Sequence, residues 1–169
     1  RFVQSNPEFE GFLDLSCLKR EANGWEVVKF LETIDVDGIL YSHYFPRSAN
    51  GKVMQTKRGA PNAQTQLRRE MQSCTAGHLQ GIDPAVHQLA NKRLYGLIAG
   101  SCYLHLDDYM SPQGTCFWHG IVVKHEVREG QYDIMLVSLD WLCRKYEQMP
   151  LDKFLAEKYG GCYVKSNNA

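Results

Sequence analysis

Asp37-Gly38-Ile39-Leu40-Tyr41-Ser42-His43 opens on a turn-forming pair, runs through three large side chains and closes on an imidazole. It reads as a short buried strand that ends in a polar residue. A second stretch, Ser73-Cys74-Thr75-Ala76-Gly77-His78, is small and extended and then turns at a glycine into another histidine. Between them, residues 46–61 read as a long loop carrying Arg47, Lys52, Lys57 and Arg58. Residues 62–71 read as a helix that follows Pro61. Strand, helix and strand in that order make an α/β chain.

Working outward, Asn6-Pro7-Glu8 is a helix opening, and Phe9, Phe12, Leu13 and Cys17 share the face that follows. Asn23-Gly24 stops it, and the apolar residues of 25–31 turn β-like. Downstream, residues 93–99 and 117–127 read as strands, and Arg128-Glu129-Gly130 as a hairpin turn into 132–139. Short helices are expected at 140–146 and 151–159. This pattern suits a layered α/β sandwich better than a doubly wound sheet of strict alternation.

The chain has 169 residues, enough for one domain with its own core. Lys plus Arg equals Asp plus Glu at 19 each, so net charge gives no push toward nucleic acid or an acidic membrane, although a local basic patch stays open. Spanning a bilayer takes an apolar run of about 20 residues, and none is present. Cys17, Cys74, Cys102, Cys116, Cys143 and Cys162 show no paired spacing. Reduced thiols and a cytoplasmic location are the expectation. The chain opens at Arg1 rather than at a methionine, as a processed protein or a piece of a longer one does.

Of six histidines, His43 and His78 end apolar strands, where ligand groups of α/β folds gather. Spacing alone leaves two readings open: a hydrogen-bonded capping pair, or a metal pair. The glycine before His78 is expected to supply the sharp turn. His105, Asp107 and Asp108 read as solvated charges on a loop. His119 and His125 read as sheet-surface residues on one face, and His87 as part of a loop or short helix. Arg47, Lys52, Lys57, Arg58, Arg68 and Arg69 form a solvated basic face, with a phosphate or nucleic-acid backbone as the functional alternative. Cys74 is expected beneath the turn, packed rather than nucleophilic.

The order of these features resembles the C-terminal half of the calcineurin-like metallophosphoesterases, particularly phage-encoded ones. There, a lone strand-end histidine precedes a helix and then a Gly-His-x-His turn; here they are Tyr41-Ser42-His43, the helix near Asn62, and Gly77-His78-Leu79-Gln80. Further likenesses are Gly96-Leu97-Ile98-Ala99-Gly100-Ser101, Asp108-Tyr109-Met110, Trp118-His119-Gly120-Ile121-Val122-Val123, His125-Glu126-Val127 and Val137-Ser138-Leu139. The likeness covers residues 1–146 and leaves 147–169 as a short helical tail.

The resemblance implies part of a layered α/β/β/α sandwich and metal-dependent hydrolysis of phosphomonoesters or phosphodiesters. It makes His43 and His78 ligands of one divalent ion (Mn, Fe, Zn or Ni), with Arg47 toward the phosphate. Gln80 replaces the family's second turn histidine and is a weaker ligand. The upstream Asp-x-His, Gly-Asp-x-x-Asp and Gly-Asn-His-Asp/Glu motifs are absent from this sequence. What remains is half of a dinuclear site, with one metal position. The missing ligands belong to a separate N-terminal half, or the chain is a degenerate, non-catalytic module for binding or assembly. A phosphate ester is the implied substrate, nucleic acid stays among the ligands, no membrane is involved, and a phage-encoded protein would work in the host cytoplasm. The resemblance also predicts geometry: His43 and His78 nitrogens about 3 to 4.5 Å apart, from metal–nitrogen bonds of roughly 2.0–2.1 Å, with Gln80 pointing into the same cavity.

Overall fold

The computed structural model describes residues 19–45, 47–49, 52–54, 61–104 and 117–159. The expected helix near residue 6 lies outside them, as do Cys17, Lys57, Arg58, His105, Asp107, Asp108, Cys116 and Cys162.

Within the described residues the chain is mixed α/β. Five strands form one sheet: β1 (Ile34–Val36), β2 (Ile39–Ser42), β5 (Ser73–Ala76), β7 (Arg93–Ala99) and β6 (Ile82–Gln88), in that spatial order. The three central strands, β2, β5 and β7, run parallel, and the outer two are antiparallel to their neighbours. Strand alternation sends Cys74 and Ala76 of β5, and Leu94, Gly96 and Ile98 of β7, to one face. Tyr41, Thr75, Tyr95 and Leu97 consequently belong to the other.

Helix α1 (Ala63–Glu70) covers the first face. Its start is determined by side-chain chemistry. Asn62 Oδ1 accepts the Thr65 amide at 2.9 Å, and Asp83 Oδ2, from β6, accepts the Ala63 amide at 2.8 Å. Met71, with φ of 51°, ends it. Ala63, Leu67, Cys74, Ala76, Leu94, Ile98 and Phe45 form the core beneath. Gly96 lets the helix approach: a Cβ there would lie 2.7 Å from the Ala63 carbonyl oxygen.

The second face meets the antiparallel hairpin of β8 (Gly120–Arg128) and β9 (Gln131–Ser138). Gly130 anchors the hairpin turn. Its amide donates to the Asp37 carbonyl at 2.8 Å, and with φ of +78° its missing side chain leaves room for the Gly38 backbone. Tyr95 and Tyr132 pack with ring centroids 4.7 Å apart across the seam. Helix α2 (Leu139–Tyr146) follows, N-capped by Ser138 and packed on both hairpin strands; α3 (Leu151–Tyr159) packs on α2.

Three expectations need correction. The loop at 46–61 contains a small antiparallel pair, β3 (Arg47–Ala49) with β4 (Lys52–Met54). Residues 25–31 form no strand, and Trp25, Val27, Val28 and Phe30 are exposed; the strand begins later, at Ile34. His87 lies on β6 rather than on a loop or helix. Pro84 masked that strand in the sequence and is tolerated because β6 is an edge.

Candidate functional site

Strands β2 and β5 are hydrogen-bonded parallel neighbours, with Ser42 opposite Ala76. Both end on the same edge, and His43 and His78 follow them. The pairing continues one step past the strands, since the Gly77 amide donates to the His43 carbonyl at 3.1 Å. That bond holds the two histidine backbones at a constant offset, and the side chains meet. His43 Nε2 and His78 Nδ1 are 3.0 Å apart, and the rings are perpendicular-edged at 76° with centroids 5.0 Å apart. One imidazole N–H donates to the other's lone pair.

The turn is not made as the glycine suggested. Gly77 has no positive φ; the left-handed residue is His78 itself, at +62°. The Leu79 amide donates to the Gly77 carbonyl at 2.7 Å, so a γ-turn is centred on the histidine. A bulky residue held there is strained, and such strain concentrates at functional sites.

Aromatic rings surround the pair. Phe30 lies 5.2 Å from the His43 ring and Tyr44 5.0 Å from the His78 ring. A cleft of about 310 Å³ borders His43, with Phe30, Glu32, Tyr41 and Ser42 among its walls. Burial, and then the neighbouring His78, lower the pKa of His43. Its neutral, ligating form is therefore favoured.

Gln80 reaches a neighbouring tyrosine. Its amide nitrogen donates to the Tyr103 hydroxyl, on the segment after β7, while its Oε1 is buried without a partner. Arg47 lies on β3, whose side chains are outside the description. Arg68 and Arg69 are exposed on α1. Cys74 is fully buried and its thiol is pushed up to about 12, chiefly by burial, so it is packing rather than nucleophile. Among the described residues Cys74, Cys102 and Cys143 are free thiols.

Two features escaped the sequence reading. Phe30 sits in a run whose β-like pattern drew attention to the wrong element. Lys124, a lone cation in the strand Gly-Ile-Val-Val-Lys-His, turns toward the sheet and meets Tyr41 and Thr75. The interruption of an apolar run by one lysine was the available signal.

The contact as it stands is a hydrogen bond, with one ring's N–H directed at the other's lone pair, so only the separation compares with that of two metal ligands. With bonds of roughly 2.0–2.1 Å, a 3.0 Å separation would correspond to an angle of about 91–97° at a shared ion. Among the described residues no group of three or more His, Cys, Asp or Glu side chains converges. No helix there is long and apolar enough to cross a membrane. No protein-family model matches the chain, and no curated protein or solved structure matches it significantly.

Proposed function

We propose that this chain carries the histidine-bearing half of a dinuclear metallophosphoesterase site, built on part of a layered α/β/β/α sandwich. The observation that supports it most is the 3.0 Å approach of His43 and His78 at the carboxyl ends of adjacent parallel strands. In this reading His43 Nε2 and His78 Nδ1 hold one ion of Mn, Fe, Zn or Ni, with Gln80 Oε1 as a weaker oxygen ligand. A bound ion of this kind polarises a phosphoryl oxygen and makes water a better nucleophile.

The chain's own residues supply orientation. The Gly77–His43 backbone bond aligns the imidazoles, and the lowered pKa keeps His43 unprotonated near neutrality. Phe30 and Tyr44 shield the rings, and Arg47 is the residue assigned to the phosphate. The acidic ligands come from a separate N-terminal half, for which the hairpin offers exposed apolar side chains on both its faces, Ile134 and Leu136 on the Lys124 face and Ile121 and Met135 on the other. Those same side chains favour a second reading, a non-catalytic family member acting as a binding or assembly module.

Titration of the 169-residue chain with Zn, Ni and Mn, followed calorimetrically, is the test. One ion is expected to bind per chain, and His43→Ala or His78→Ala to abolish it, with no hydrolysis of bis-p-nitrophenyl phosphate. No binding at millimolar metal sinks the metal assignment. Mn-dependent turnover by this chain, lost in His43→Ala, sinks the half-site reading.

A further inference from the structure

Between the sheet and the β8–β9 hairpin lies a second cavity, of about 500 Å³. Its walls include Leu97 from β7, Ile121 and Val122 from β8, and Tyr41, Thr75 and Lys124. We propose that this cavity binds a small monocarboxylate with an apolar body, the carboxylate held by Lys124 and the Tyr41 hydroxyl.

Lys124 is half-buried, and no carboxylate among the described residues pairs with it. Its ammonium is held in place by neutral groups. Nζ donates to Tyr41 Oη at 2.9 Å and Thr75 Oγ1 at 2.6 Å, and lies 4.3 Å and 4.8 Å from the ring centroids of Tyr41 and Tyr132. An ammonium has three N–H donors and these hydroxyls take two, leaving the third for a ligand. Tyr41 accepts from Lys124 and keeps its own O–H to donate.

The cavity therefore presents two donors and a positive charge amid aliphatic walls, the usual construction of a small-molecule site. A single cation balances a monoanion. A phosphate dianion would bring a second charge into a pocket whose lining holds no arginine. The buried charge is itself costly: burial pulls the Lys124 ammonium down to about 8. Among the described residues the titratable groups around it are Tyr41 on β2, Cys74 on β5, Tyr132 on β9 with Tyr95 packed against it, and Cys102 in the cavity lining; burial raises Tyr41, Cys74 and Tyr132, which are uncharged at neutral pH. A bound carboxylate restores the missing counter-charge and pushes the lysine upward, so binding above pH 8 takes up a proton.

Octanoate is the probe, with 1-octanol as its neutral counterpart and inorganic phosphate as the anion without a body. All are titrated into the 169-residue chain by calorimetry at pH 8.5, in two buffers of different ionisation enthalpy. Octanoate is expected to bind with net proton uptake, and octanol and phosphate to bind at least about tenfold more weakly, as loss of a charge-assisted hydrogen bond predicts. Lys124→Met keeps the apolar stem and is expected to lose octanoate by the same factor, with its fold checked by circular dichroism. Equal affinity for octanol, unchanged affinity in folded Lys124→Met, or no octanoate binding at 10 mM (about the weakest useful affinity) overturns the proposal. Should Lys124→Met fail to fold, proton uptake by the wild-type chain decides: none means Lys124 does not hold the carboxylate.

Discussion

The sheet with its helix and the hairpin with its two helices use similar residues to different ends. On the sheet side Ile39, Leu67, Leu97 and Ile98 are at most 1% exposed, and α1 seals one face. On the hairpin Ile121, Ile134, Met135 and Leu136 are each about two-fifths exposed or more. Both regions have paired strands and capped helices, and although β8 carries a register shift between His125 and Arg128, local structure is not what separates their burial. The sheet buries side chains on two faces, whereas the hairpin has apolar side chains that no described element covers. A region of the first kind is held by its own packing; one of the second kind is prepared for association.

The largest test of this contrast is a pair of truncations. Leu67→Ala is expected to cost about 3 kcal/mol, because it leaves a cavity under α1 that close packing cannot refill. Leu136→Ala should cost less than about 1 kcal/mol, since the side chain already meets solvent. Urea denaturation of both variants measures the difference, and equal losses would erase the distinction between the regions.

A smaller effect is expected at the joint between them. Gly130→Ala places a Cβ 2.5 Å from the Gly38 carbonyl oxygen at a φ of +78°. A loss of about 2 kcal/mol follows from that clash and the left-handed backbone. A comparable melt for wild type and variant would mean that the hairpin does not need this close approach.

The smallest effect sharpens the comparison at the sheet edge that carries His43 and His78. The pKa of His43 is below the ordinary value in the fold, so the unfolded chain takes up its proton first as pH falls. Stability tied to this group is therefore present above about pH 6.5 and declines as acid crosses that value. The urea midpoint of the wild type should drop more between pH 7.5 and 5.5 than that of His43→Asn. Identical drops would show that the imidazole is not held neutral by its surroundings.

Much was legible in advance where chemistry is local. The helix after Pro61, the short helix at 151–159 and the Arg128-Glu129-Gly130 turn all rest on neighbouring residues, and each element formed where read, while the Asn62 cap emerges only in the structure. Elements defined by their partners were harder. Strand β1 is three residues long and exists by pairing with β2, while β6 hides behind Pro84 and is identified by β7 alongside.

The sequence by itself determined the α/β class, the two strand-end histidines and the thiols without paired spacing. It determined these because turn residues, caps and side-chain alternation act over a few positions. Only the tertiary structure decided that His43 and His78 touch, that His78 rather than Gly77 takes the left-handed backbone, and that Lys124 faces Tyr41 and Thr75. Those facts depend on the lateral order and register of strands far apart in the chain. Register is chosen by the summed burial of whole sheet faces, which no short stretch contains.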